Sequence, residues 1–349
     1  MLKRQVTLAD IAKELGVSTA TVSRALKDYP DISKDTKKRV LALVKKWNYR
    51  PNSMAAGLRK QESRVIGVII PEIINHFFSS VIKGIMKVAY EADYRVMLCQ
   101  SDESYEKEVA DANALFASRV DGIMASLAHG TRNIEHFTAF SQVGTPVVFF
   151  DKVPDKSVEV SKVVVDDYQG AFRVVEHLIH QGYRRIAHFR GPMLASTSKN
   201  RYNGYKDALS KYKIPYDPKL IFTCDDISLE EGKQFARRCL EEDSIDAVFA
   251  ITDQVAIGAM LAIKEAGKSV PEDIAVAGFS NWSMSAIVEP QLTSVAQPGL
   301  EMGMRAMQLL LNEIRSNKEG IESPAQTVVL ETELIVRASS NRDKVLVKG

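Results

Sequence analysis

Apolar positions in the first 50 residues fall at helical spacing. Leu8, Ile11, Ala12 and Leu15 sit at i, i+3, i+4 and i+7, on one face of a helix. Thr7, three residues before Asp10, has the spacing of a capping box that opens this helix. Gly16 ends it, because glycine takes positive φ at low cost. Ser18 is the next N-cap. Residues 19–27 read as a second short helix with Ala20, Val22, Ala25 and Leu26 as its small and apolar positions. Ser33 caps a third helix, whose Val40, Leu43, Val44 and Trp47 repeat the stripe. Helix, tight glycine turn and helix make a helix-turn-helix, closed by the third helix into a small core.

After Arg64 the period changes to short β-rich runs alternating with amphipathic stretches. Residues 65–70, 95–99, 122–125 and 147–150 read as buried parallel strands, and 78–92, 104–117 and 131–142 as crossover helices. A second series of strands follows at 163–165, 186–189, 220–222, 247–250 and 274–277. The rhythm predicts an α/β, doubly wound architecture in two lobes. Ligands in open parallel sheets sit beyond the C-terminal strand ends, so two facing lobes place a cleft there.

A chain of 349 residues with 45% hydrophobic content is too long for one small domain. No apolar run approaches the ~20 residues that span a bilayer. The opening Met1-Leu2-Lys3-Arg4 leads directly into the amphipathic pattern, so a cytoplasmic protein is expected. Cys99, Cys224 and Cys239 are odd in number, far apart and without ligand spacing, as in a reducing compartment. Neither metal nor cofactor is expected. The net charge of +2 is unevenly spread: residues 1–64 hold 15 Lys and Arg against 6 Asp and Glu, a net +9. A basic head on an acidic body fits a polyanion partner at the head.

The second helix exposes Ser18, Thr19, Ala20, Thr21, Ser23 and Arg24. Small hydroxyls let a helix lie close in a major groove, and a guanidinium can bond guanine O6 and N7 as a fork. A solvated helical face would show the same residues. Pro51 stops the third helix, because the residue before proline avoids the α region. The next stretch is too short to be a stable helix alone, and Gly57 weakens it. Its Leu58, beside Arg59 and Lys60, suits a minor-groove wedge; an ordinary linker is the alternative.

Two segments together carry a specific likeness: Val6-Thr7-Leu8-Ala9-Asp10-Ile11-Ala12 through Gly16-Val17-Ser18-Thr19-Ala20-Thr21-Val22-Ser23-Arg24-Ala25-Leu26, and Tyr49-Arg50-Pro51-Asn52 through Ala56 and Leu58. They resemble the head and hinge of the lac repressor-type (LacI/GalR) family. The resemblance implies that Thr19, Ala20 and Arg24 read the major groove, and that Leu58 enters the minor groove at the centre of a palindrome beside its dimer mate. Thr7, Ser18, Thr21, Ser23, Asn52, Ala55 and Arg59 complete the expected DNA contacts.

The body resembles the same family's effector core, which is like a periplasmic sugar-binding protein. The matching segments include Val120-Asp121-Gly122-Ile123, Gly182-Tyr183-Arg184-Arg185-Ile186-Ala187, Thr252-Asp253-Gln254-Val255 and Pro290-Gln291-Leu292-Thr293-Ser294-Val295. The resemblance implies crossovers between lobes near 162, 296 and 325. The expected organisation is a head at 1–50, a hinge at 51–64 and a core at 65–340. Lobe 1 would take about 65–161 and 297–324, and lobe 2 about 162–296 and 325–340.

Strand-end positions give the candidate effector site: Asn75, Phe77 and Phe78 after the first strand, Asp102 and Ser126 after the next two, and Asp151 and Lys152 after the fourth. The two phenyl rings could stack on a ligand or pack the following helix. The family places its polar clamp at Arg201, where a fork of donors can hold vicinal hydroxyls or a carboxylate. Thr252, Asp253, Ser280 and Trp282 complete the set. Two departures concern it: many members carry Asn-Asp where this chain has Thr252-Asp253, and an aspartate where it has Ser280. Trp282 could supply a stacking surface, which favours a carbohydrate, or could pack as a lid.

A ligand-responsive, sequence-specific DNA-binding regulator, most naturally a homodimeric repressor on a palindromic operator, is therefore expected. A secreted sugar-binding protein is opposed by the DNA head. An enzyme is opposed by the lack of a Gly-x-Ser-x-Gly elbow, a Walker loop, a His-Glu-x-x-His or a Cys/His metal set. The tail after Arg337 has no sustained heptad, so a coiled-coil tetramer is not supported.

Overall fold

The computed structural model describes residues 6–49, 62–155, 157–241 and 245–342. The chain divides into two units, residues 1–63 and 64–349.

The first unit holds α1 (Leu8–Leu15), α2 (Thr19–Leu26) and α3 (Lys34–Lys46). The capping box forms: Thr7 N donates to Asp10 Oδ2 at 2.8 Å and Asp10 N to Thr7 Oγ1 at 3.3 Å. Gly16 closes α1 at φ +65°. Ser18 and Ser33 accept from Thr21 N at 3.0 Å and Thr36 N at 3.2 Å. Ile11, Ala12, Val22, Ala25, Val40 and Leu43 form the core, with Leu8, Leu15, Leu26, Val44 and Trp47 around it. The third helix ends at Lys46, ahead of the proline expected to stop it. Asn48 turns left-handed (φ +48°) and Tyr49 N donates to Val44 O at 3.0 Å, which closes the last turn.

The second unit holds two six-stranded sheets. The first sheet contains β1 (Val65–Ile70), β2 (Arg95–Gln100), β3 (Gly122–Ala125), β4 (Val147–Phe150), β5 (Lys162–Val165) and β11 (Thr327–Leu330), in the order β11-β5-β4-β3-β1-β2. Its pairings among the described residues are parallel. The second contains β6 (Ile186–Arg190), β7 (Ile221–Thr223), β8 (Ala247–Ala250), β9 (Ala275–Ser280), β10 (Thr293–Ala296) and β12 (Glu333–Ile335), in the order β12-β10-β9-β8-β6-β7. There β12 runs antiparallel to β10, and the other pairings among the described residues are parallel.

Helices cover both faces of each sheet. On the first sheet, α4 (His76–Glu91) and α11 (Gly299–Glu319) lie on one side, and α5 (Tyr105–Ala117) and α6 (Glu135–Gln142) on the other. On the second sheet, α7 (Asp167–His180) and α8 (Ser196–Lys211) face α9 (Leu229–Glu241) and α10 (Asp253–Glu265) across the strands.

The sheet order corrects two expected crossovers. β5 pairs with β4 and β11, so it lies inside the first sheet rather than opening the second. The chain thus leaves the first sheet after Val165, not near 162, and leaves it again after Leu330, not near 325. Strand periodicity specifies a buried strand but not the sheet it joins, since that choice rests on partners far along the chain. Between these two points the chain returns from β10, which ends at Ala296, to α11 on the first sheet. Helix α6 begins at Glu135 rather than 131 because the preceding loop is held by buried Glu108. That carboxylate accepts from Ala128 N at 2.6 Å and Thr131 Oγ1 at 2.9 Å.

Candidate DNA-reading helix and effector cleft

Ser18, Thr19, Ala20 and Arg24 are exposed along α2, while Thr21 and Ser23 are half-buried. Ser18 and Thr21 share their hydroxyls at 2.9 Å at the helix N-terminus. Thr7 commits its hydroxyl to Asp10 Oδ2 at 2.7 Å, so its local role is the cap. The Arg24 guanidinium lies 2.6 Å from Asp31 Oδ2 and 5.2 Å from the Tyr29 ring centroid. Neither Tyr29 nor Asp31 was among the expected site residues. The signal was the turn straight after the reading helix, where Tyr29 N donates to Arg24 O at 3.1 Å. Asn52, Ala55, Leu58 and Arg59 lie outside the described residues.

At the first sheet's C-terminal edge, the turn after β4 carries Asp151 (φ +58°) and Lys152, 8% and 5% exposed. Buried Ser126 links them: its Oγ lies 3.5 Å from Asp151 Oδ2 and accepts Lys152 N at 3.4 Å. Lys152 Nζ pairs with Glu103, which also accepts His129 N at 2.9 Å. From the second lobe, Arg201 on α8 donates from Nε to Asp167 Oδ1 at 2.7 Å and from Nη1 to Ile251 O at 2.8 Å. Its guanidinium stacks 3.7 Å from the Phe279 ring centroid. The lobes touch where Val153 N donates to Ser196 Oγ at 3.1 Å.

Burial sets the charge balance of this cluster. It pushes the Asp151 carboxyl up to about 7, with Lys152 opposing, Asp167 adding and Arg201 opposing. It also raises Asp167, against the pull of Arg201. Burial, then Lys152, drives His129 down to about 3, so its ring is neutral beside Glu103. Two lobes thus present carboxylates, a guanidinium and an ammonium, a donor and acceptor set suited to a polar ligand with several hydroxyls.

Ser126, Asp151, Lys152 and Arg201 lie together, joined by Glu103, His129 and Asp167, which were not among the expected site residues. The signal for Asp167 was a second acid beside Asp166 at the start of a helix. The other expected residues are engaged elsewhere. Asn75 caps α4, accepting from Phe77 N at 3.0 Å. Phe77 and Phe78 pack edge to face at 5.4 Å within the first lobe's core. Asp102 is exposed, with its carboxyl held low first by Lys107 at 2.5 Å and then by Gln100.

Asp253 is 1% exposed and uses both oxygens internally, on Trp282 N at 2.6 Å, Ser285 Oγ at 2.7 Å and Ser294 Oγ at 2.5 Å. A Cβ at Gly278 would collide with Asp253 Oδ1, so glycine is required against this hub. Thr252 caps α10. Ser280, at φ +108°, donates to Gln297 Oε1 at 2.8 Å, and Trp282 packs half-buried against the second lobe's core.

A helix-turn-helix head with an exposed polar reading face, joined to a two-lobed α/β core with a charged cleft, defines a DNA-binding transcription regulator under small-molecule control. The match to known families agrees. Residues 7–52 match the bacterial regulatory proteins of the lacI family, and residues 175–340 match a periplasmic binding protein-like domain. The chain is 34% identical over 320 residues to catabolite control protein A of Priestia megaterium, covering 91% of this chain and 95% of that one. It is 33% identical over 330 residues to the ribose operon repressor of Halalkalibacterium halodurans, covering 93% and 96%. Among solved structures, the lac repressor dimer bound to operator and the anti-inducer ONPF superposes with a TM-score of 0.82 at 26% identity, over 97% of this chain and all of that one. The CelR–cellobiose complex gives 0.72 at 28% identity over 96% and 100%. The chain belongs to the lacI family, a family of transcription regulators and not of enzymes. No helix among the described residues is long and apolar enough to cross a membrane.

Proposed function

We propose that this protein is a cytoplasmic, homodimeric repressor that reads a palindromic operator through α2 and releases or grips it according to a sugar held between the lobes. The observation that carries the reading is the pairing of an exposed reading helix with a buried, charged cleft in one chain. Ser18, Thr19, Ala20, Thr21, Ser23 and Arg24 are assigned to DNA. Arg24 is assigned to a base edge, and the hydroxyls to phosphates and close approach. Asn52, Ala55, Leu58 and Arg59 are assigned to the minor groove on their sequence alone.

The effector contacts are assigned to Ser126, Asp151, Lys152 and Arg201. Asn75, Phe77, Phe78, Thr252 and Asp253 act behind them as caps and packing. Ser280 and Trp282 of the second lobe and Asp102 of the first are assigned to the margins of the site. The ribose repressor and the cellobiose-bound CelR among the relatives support a carbohydrate. The homodimer is supported by apolar side chains left exposed on the first lobe: Ile74, Met86 and Tyr90, with Met97 and Leu98 on edge strand β2.

A melting screen of the full-length protein against ribose, cellobiose and other mono- and disaccharides tests this. Binding to the folded state raises stability by about 2.7 kcal/mol at a hundredfold excess over Kd. One sugar should raise the melting temperature and shift operator affinity. If no sugar stabilises the core while a nucleobase or amino acid does, the carbohydrate assignment fails.

A further inference from the structure

We propose that Asp31 is a positioning residue for Arg24, holding its guanidinium for a base edge and away from the phosphates. The inference rests on the assignment of Arg24 to DNA. Asp31 Oδ2 stands 2.6 Å from Arg24 Nη2, and the Tyr29 ring lies 5.2 Å from the guanidinium carbon. Both side chains of the ion pair are about half exposed, 50% for Arg24 and 46% for Asp31. Such pairs contribute little to folding, so fold stability does not account for this one.

The loop that carries Tyr29 and Asp31 is itself fixed. Tyr29 N donates to Arg24 O at 3.1 Å, and Ile32 N to Tyr29 O at 3.3 Å. Asp28, left-handed at φ +55°, takes an ion pair from Lys37 Nζ at 2.6 Å and so ties the loop to α3. Asp31 therefore meets Arg24 from a braced position.

Two physical consequences follow. A free arginine has high rotamer entropy and grips whatever anion is nearest; on a duplex that is phosphate, which carries no sequence information. A guanidinium held on one side by a carboxylate and along its face by a ring keeps its remaining donors in one plane, and ordering it beforehand lowers the entropy lost on binding. The carboxylate also repels phosphates, which weakens binding to any sequence. Asp31 thus lowers general affinity and raises selectivity.

The test uses full-length protein and a duplex selected by the wild type from a random pool, against a scrambled duplex. Asp31→Asn should bind the scrambled duplex more tightly and lower the selected-to-scrambled ratio by about tenfold. Its salt dependence should steepen by roughly one phosphate per reading helix. Asp31→Glu should restore part of the ratio, and Asp31→Asn should leave the ratio unchanged in an Arg24→Ala background. A wild-type ratio in folded Asp31→Asn, or an equal drop with and without Arg24, would overturn the proposal. If Arg24→Ala itself leaves the ratio unchanged, the assignment of Arg24 to a base fails, and the role of Asp31 with it.

Discussion

The molecule uses the same chemical pair twice, in opposite surroundings. Arg24 meets Asp31 at 2.6 Å on the open face of the head, and Arg201 meets Asp167 at 2.7 Å inside the core, where each side chain is 6% or less exposed. Beside water an arginine–carboxylate pair leaves the rest of the guanidinium open, so Arg24 can reach a base with the donors that Asp31 leaves over. In the core neither charge can be left alone, and Arg201 adds a carbonyl and an aromatic face to its ties. The head's pair is built to be reached and the core's to be permanent. A ligand that meets Arg201, as proposed, would find this architecture intact and use the donors that Asp167 and Ile251 leave over.

Substitutions in the two pairs separate these roles. Arg201→Ala strands Asp167 in the interior and should destabilise the core by about 3–5 kcal/mol, read from urea or thermal unfolding. A loss below about 1 kcal/mol would mean that water already reaches the pair.

The pH dependence of the same cluster comes next. The Asp151 carboxyl holds its proton up to about 7 in the folded state, whereas the unfolded chain releases it near 3.8. The folded state then binds more protons across that window, so stability falls as pH rises through it, by at most about 1.4 kcal/mol per pH unit. Asp151→Asn removes this slope. Identical stability–pH curves for the wild type and Asp151→Asn would show that Asp151 titrates normally.

In the head, Arg24→Ala should leave the melting temperature unchanged and cost the selected duplex about 1–3 kcal/mol, with a smaller loss on scrambled DNA. Equal losses on both duplexes would make Arg24 a phosphate contact. Thr7→Ala, which removes the hydroxyl of the capping box, should destabilise the head by about 1 kcal/mol with the core unaffected. Thermal unfolding followed separately in head and core reads this out.

The same contrast explains what the sequence disclosed. The head was legible because its determinants are local. A cap is three residues from its partner, Gly16 marks its own turn, and each apolar stripe is complete within eight residues. The strands of the core were legible for the same reason, but their sheets were not. β5 reads as any buried strand until Phe150 and Val163 are seen side by side. Asp253 shows the limit most clearly. An acid opening a helix after a strand looks the same whether it faces a ligand or the interior. Its three donors come from Trp282, Ser285 and Ser294, beyond any local pattern. Glu103 and Asp167 were missed likewise, because their cations, Lys152 and Arg201, lie far along the chain.

If the cleft governs the reading helix, a ligand held there changes DNA affinity, and one titration reads that change. The affinity of full-length protein for its selected duplex is measured by fluorescence anisotropy, without and with saturating amounts of the sugar that best raises the core's melting temperature. Coupling of about 1–3 kcal/mol would change that affinity roughly 5- to 150-fold. The shift should disappear in Lys152→Met, provided that this variant stays folded and still binds DNA. A sugar that stabilises the core yet leaves DNA affinity unchanged would mean that the cleft does not govern the reading helix.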